Sequence, residues 1–173
     1  AFAVVKPDPN RSNLNYVTGW FVMGAMPREV RGLPLMKPPY ARVTAIDLNT
    51  GEHVWMTPHG DGPIDHPDLA DLDLGPLGAE GSGTGPLVTR SLLFVTQGEA
   101  RLGTAADKRP KVTVFDKATG ERLGAIPLPG DPYGNPMTYM HRGKQFIVVA
   151  IGGDAFMGGP GKYPAELVAL SLP

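Results

Sequence analysis

His59, Asp61, Asp65, His66, Asp68, Asp71 and Asp73 crowd imidazoles and carboxylates into one short acidic stretch, the donor types from which many protein metal sites are built. The spacing argues against such a site. It does not follow an EF-hand loop, and the two histidines lack the i, i+4 register that puts a zinc pair on one helix face. A solvated loop with one helical turn accounts for the same residues, with His66 as cap and Pro67 at the first helical position, where a missing N–H costs nothing. No metal ligand is assigned in this chain.

Two glycine-rich segments come next. "EGSGTGPLVT", residues 80–89, lacks the following helix and the lysine that a phosphate cradle needs. It reads either as bare backbone approaching a flat ligand or as a loop between structural units. "QFIVVAIGGD", residues 145–154, is an apolar run that breaks on Gly152 and Gly153 and delivers Asp154. There the carboxylate either faces a ligand or serves a turn. His141-Arg142-Gly143-Lys144 reads as an exposed hairpin turn, and His53 sits on a return strand. No serine, histidine and aspartate grouping can be assembled from sequence order, so no catalytic residue is assigned.

The elements that must position these residues repeat. "VTAIDLNTGEHVW" (43–55) and "VTVFDKATGERLG" (112–124) align without a gap, at an offset of 116 − 47 = 69 residues. Alternation before the turn (Val43, Ala45; Val112, Val114) predicts a strand with one packed face. Thr-Gly suits a tight reversal with glycine at positive φ, and Asp47 and Asp116 can cap nearby N–H groups. Trp55 on the first return strand can pack against the neighbouring unit, whereas Gly124 occupies that place in the second. "AELVALSLP" repeats the first strand only. Further strands are expected at 16–22, 85–89, 92–96, 136–140 and 145–151.

Four short antiparallel strands per unit make a β-propeller blade. The expected fold is therefore all-β: one partial propeller domain over 1–173, with about two complete four-stranded blades and one incomplete blade. The blades fall at 1–58, 80–128 and 133–173, and an insertion loop at 59–80. Closed propellers need at least four blades, so remaining blades of a longer parent, or self-association, must cover the open faces.

Composition bounds the partners. Lys plus Arg (16) nearly balance Asp plus Glu (17), so no net field draws nucleic acid or an anionic bilayer. Cysteine is absent, which excludes disulfides and thiolate metal sites. Glycine (23) and proline (19) are too abundant for a helical protein. The start, "AFAVVKPDPNRSN", has neither an initiator methionine nor a signal-peptide pattern, and reads as a mature product or a piece of something longer.

"LPLMKPPYARVTAIDLNTGEHVW", "GPLVTRSLLFVTQG", "FDKATGERLGAIPLP", "NPMTYMHRGKQFIVVAIGGD" and "PAELVALSLP" together resemble the C-terminal part of the pyrroloquinoline-quinone (PQQ)-dependent dehydrogenases. The membrane-type glucose and quinate enzymes are the most similar group. The resemblance implies an eight-bladed propeller carrying PQQ and a calcium-type ion at its axis, and oxidation of a sugar or alcohol hydroxyl in the periplasm. Electrons would pass to a cytochrome or quinone acceptor. The family's catalytic base and metal ligands have no counterpart here, so the segment alone is expected to be inactive. The resemblance implies cofactor-facing positions at Ser82, Gly83, Thr84, Gly85, Gly152, Gly153 and Asp154. Ser82 stands where the alcohol enzymes carry tryptophan. Asp154 replaces the tryptophan or histidine of the family, and either accepts a hydrogen bond from a sugar hydroxyl or caps the turn. A propeller serving only as a protein-interaction scaffold is the alternative.

Overall fold

The computed structural model describes residues 2–6, 9–10, 18–22, 29–79, 85–100, 103–152 and 164–171. Among these every regular element is a strand and none is a helix. They fall into two compact units, Ala1–Lys37 and Pro38–Pro173.

In the first unit β1 (Phe2–Lys6) pairs antiparallel with β2 (Thr18–Val22), and β3 (Glu29–Val30) with β4 (Leu33–Pro34). The second hairpin turns on Arg31 and Gly32, both at positive φ (55° and 85°), the backbone that a two-residue reversal with right-handed strand twist requires.

The second unit opens with a two-stranded sheet, β5 (Arg42–Ile46) and β6 (His53–Pro58). A four-stranded meander follows: β7 (Leu87–Val88), β8 (Leu92–Gln97), β9 (Lys111–Asp116) and β10 (Arg122–Pro127), each paired with the next. The last sheet holds β11 (Met137–His141), β12 (Lys144–Ile151) and β13 (Glu166–Ser171) in sequence order. The β11–β12 turn again uses positive φ, at Arg142 and Gly143.

The sequence repeat is structural down to its irregularity. β5–β6 slips register between Ala45 and Ile46, which pair with Trp55 and His53, and skips Val54. β9–β10 slips between Val114 and Phe115, which pair with Gly124 and Arg122, and skips Leu123. Both turns close alike. Gly51 N–H donates to Asp47 O (2.7 Å) and Gly120 N–H to Asp116 O (2.9 Å), the glycines at φ 75° and 74°. Each aspartate Oδ1 accepts the N–H two residues on, from Asn49 or Ala118, at 2.8 Å. These bonds to the ionised form, led by that from the Thr119 N–H, hold the Asp116 carboxyl below its ordinary value.

The repeat also docks one sheet on the next. Trp55 Nε1 donates to Lys117 O (3.0 Å) and Thr57 Oγ1 to Gly120 O (2.8 Å). A Cβ at Gly120 would lie 2.5 Å from the Trp55 ring, so only glycine lets the indole cover this turn. Gly124, the counterpart of Trp55, meets nothing within 4 Å of its would-be Cβ.

Each face of the meander has its own core. Leu93, Val95 and Phe115 pack with Val43 and Trp55 of the preceding sheet. Val112 and Leu128 pack with Val149 and Ile151 of the following sheet, beside Phe94, Val168 and Leu170. β8 and β9 are thus apolar on both faces, as a strand between two layers must be. Phe115 is fully buried, worth about 1.5–3 kcal/mol by transfer.

Candidate functional site

The strand directions divide the meander into two ends. Leu92 pairs with Asp116 and Gln97 with Lys111, so the Asp-Thr-Gly turn closes one end and the connection 98–110 spans the other. Pro127 also pairs with Lys111, which sends segment 128–136 out at this second end. There β12 finishes and the segment leading into β7 arrives.

Segment 128–136 joins these pieces. Gly85 N–H donates to Asn135 Oδ1 (2.7 Å), and Glu99 N–H to Asp131 Oδ1 (2.7 Å). Gly152 N–H donates to Asp131 O, Tyr133 N–H to Ala150 O and Leu128 N–H to Pro110 O, each at 2.8 Å. Pro132 forms a lone bridge to Ile151. The structure therefore brings the expected Gly85 and Gly152 to the same end and ties both to one loop. Ser82, Gly83, Thr84, Gly153 and Asp154 lie outside the described residues.

Both glycines have intramolecular reasons. A Cβ at Gly85 would sit 2.7 Å from Asn135 Oδ1, and Gly152 has φ 69°, where other side chains are strained. Asn135 and Asp131 were not singled out from the sequence. The signal available was "GDPYGNP", a turn-rich string between two strands, but its partners lie 50 and 32 residues away.

The acidic stretch after β6 behaves differently from a solvated loop at its start. His59, Gly60, Gly62 and Pro63 are buried, and the His59 ring meets Phe115 edge-on at 6.0 Å. The organiser is Asp107, fully buried. Its Oδ1 accepts from Lys111 Nζ (3.0 Å) and Asp61 N–H (3.2 Å), and its Oδ2 from Gly62 N–H (2.9 Å), Thr104 N–H (3.2 Å) and Thr104 Oγ1 (3.3 Å). Burial alone would raise the Asp107 carboxyl, but the hydrogen bond and charge of Lys111 and the loop N–H groups bring it below its ordinary value. His59 is lowered from 6.5 to about 4, by burial first and then by the positive charges of Lys111 and Arg122. It is therefore neutral near pH 7, and its Nε2 has no hydrogen-bond partner.

Further along, Asp61 pairs with Arg122 (2.9 Å), and His66 Nδ1 accepts from Asp68 N–H (3.1 Å). The expected helical turn is a pair of consecutive four-residue turns, Leu69 N–H to His66 O and Leu72 N–H to Leu69 O. No group of three His, Asp or Glu side chains able to hold a metal occurs among the described residues. A cleft of about 280 Å³ between Pro38, Pro39, Met56, Pro58, Pro76 and Leu77 has no ionisable side chain and does not include Gly85 or Gly152.

Comparison with known proteins gives these features a context. Residues 7–147 match the family model described as PQQ glucose/ethanol/alcohol dehydrogenase, β-propeller domain. The glycerol dehydrogenase large subunit of Gluconobacter thailandicus is 31% identical over 147 residues, 82% of this chain and 18% of that one. Quinoprotein glucose dehydrogenase A of Acinetobacter calcoaceticus is 32% identical over 142 residues, 82% of this chain and 16% of its own. A probable quinate dehydrogenase (quinone) of Xanthomonas campestris pv. juglandis is 33% identical over 146 residues, covering 82% and 17%. The chain thus spans less than a fifth of the length of these relatives.

Proposed function

The chain belongs to the PQQ-dependent glucose/ethanol/alcohol dehydrogenase family, through its β-propeller domain, and we propose that it forms part of a longer propeller that oxidises a sugar or alcohol hydroxyl with bound PQQ. When bound, the quinone supplies the two-electron acceptor that amino-acid side chains lack. The contribution of this chain is positional. Gly85 and buried Gly152 lie at one end of two adjacent sheets, both tied to segment 128–136, which suits a supporting role behind one wall against a planar ring.

The described residues do not fit a metal centre, because they bring no three ligands together. Following the family pattern, a calcium-type ion and the base that takes the hydroxyl proton are assigned in this proposal to other blades. The periplasm as location, and a cytochrome or quinone as electron acceptor, belong to the same proposal. Open apolar sheet faces support the larger assembly. Met56 on β6 and Met137, Tyr139 and Leu167 on the last sheet are 43–75% exposed, surface that a neighbouring blade would cover.

The observation that carries the reading is the family match over 7–147, joined to two sheets whose loop ends converge on segment 128–136. The test is reconstitution of the full-length apoprotein with PQQ and calcium, followed by dye reduction with glucose, quinate, glycerol and ethanol. Reduction by at least one, dependent on PQQ, is expected. A protein that binds no PQQ and reduces no dye would instead be a propeller scaffold.

A further inference from the structure

Building on the functional reading above, we propose that Asp131 and Asn135 are positioning residues, which fix the spacing of Gly85 and Gly152 and so shape the wall presented to the quinone. Segment 128–136 is anchored at both ends, by buried Leu128, whose N–H reaches Pro110 O, and by buried Pro136 at the entry to β11. Between these anchors it contacts three different chain segments: the approach to β7, the connection after β8 and the end of β12. The two residues that make the key contacts lie only four positions apart in the chain.

Each contact has a directional meaning. The Asn135 amide oxygen accepts the Gly85 N–H at 2.7 Å, in the place that a Cβ on residue 85 would enter. The two positions therefore form an interlocked pair: the missing side chain at 85 admits the amide, and the amide holds the backbone that lacks a side chain. Asp131 works on both sides at once. Its carboxylate takes the Glu99 N–H from the meander, and its carbonyl takes the Gly152 N–H from the next sheet. A shift of segment 128–136 must then move Gly85 and Gly152 together. Neither side chain is asked to touch substrate or ring.

The pair can be tested by its coupling. In the full-length apoprotein, PQQ affinity is measured by fluorescence titration and melting temperature is followed in parallel. N135A and G85A are each expected to weaken PQQ about five- to tenfold, the size of one lost hydrogen bond. The double variant should be no weaker than either single, since removing the amide relieves the clash that the methyl group of G85A creates. D131A should weaken PQQ similarly, and D131N, which keeps an acceptor oxygen, should restore it. Wild-type affinity in N135A and D131A, or strictly multiplicative losses in the double variant, would overturn the assignment. So would losses that follow melting temperature alone, with D131N as weak as D131A. A wild-type protein that binds no PQQ at all would instead remove the functional reading beneath it.

Discussion

Acidification from pH 7.5 to 5 should destabilise the fold through His59, and replacement of that residue by leucine should abolish the effect. The imidazole is lowered from 6.5 to about 4, mainly by burial, with Lys111 and Arg122 adding to the shift and Asp107 opposing it. Its native pKa lies below its unfolded one, so the unfolded chain binds more protons across that interval. Stability is therefore complete above pH 6.5 and falls as the pH drops towards 4. At pH 5, some 1.5 units below the unfolded pKa, the loss is about 2 kcal/mol at about 1.4 kcal/mol per unit. Asp107 and Asp116 do not confuse the window. Both are held below 3.8, so their contributions are present above the unfolded carboxylate pKa and vanish only at lower pH. The measurement is urea unfolding of wild type and H59L at pH 7.5, 6 and 5. H59L should be at least as stable at pH 7.5, because it also removes a buried Nε2 without a partner, and should gain about 2 kcal/mol on wild type by pH 5. Parallel stabilities across the three pH values would refute the burial argument.

Two further substitutions test the joints between sheets. G120A places a Cβ 2.5 Å from the Trp55 ring at φ 74° and should cost about 2–4 kcal/mol in urea unfolding, from overpacking plus backbone strain; a loss below about 0.5 kcal/mol would show that the indole is free to move. D107A leaves Lys111, only 6% exposed in its side chain, without its carboxylate, and strips the acceptor from Gly62, Asp61 and Thr104. Its expected cost is about 3–5 kcal/mol, and the D107A/K111M pair should recover part of it in a double-mutant cycle.

Local chemistry made the hairpins legible. Asp47, Thr50 and Gly51 close their turn with bonds that span five residues or fewer, and Asp116, Thr119 and Gly120 do the same, so sequence alone could place them. The docking of Trp55 was also readable, because its offset from the turn glycine recurs at Gly124, where no ring can fill the same place. The Arg142-Gly143 reversal was visible between two apolar runs. Its twin at Arg31-Gly32 was not, since β3 and β4 have only two residues each and show no alternation. β1 escaped for a similar reason: "FAVVK" is too short to stand out from an irregular start. The acidic stretch misled in one respect. Its charges are spread as on a solvated loop, yet its first residues are buried by Asp107, 45 residues from its partner Gly62. No pattern within either segment announces that contact. Gly85 and Gly152 were placed through family resemblance, whereas the residues that hold them, Asn135 and Asp131, belong to a string that reads as any other turn.

The two ends of the sheets follow opposite physical rules. At the Asp-Thr-Gly end, each hairpin satisfies its own backbone: the aspartate accepts its own loop's N–H groups, and glycine supplies the positive φ. Its turns close locally, with Trp55 and Thr57 of one sheet docking on the turn of the next, and they repeat with little change at an offset of 69 residues. At the other end, the loops are satisfied partly within themselves and partly by one another. Gly85 depends on Asn135, Glu99 and Gly152 on Asp131, and Gly62 on Asp107. Loops tied to neighbours change most easily in concert with them, and the repeat thins there: between 59–67 and 128–136 only Pro63/Pro132 and Pro67/Pro136 still match at the 69-residue offset. Such loops are also where a rigid scaffold can carry a site without disturbing its own hairpins. The wall proposed at this end therefore does not depend on the glycines alone: it depends on loops tied to one another through Asn135, Asp131 and Asp107, while the locally closed turns at the opposite end repeat.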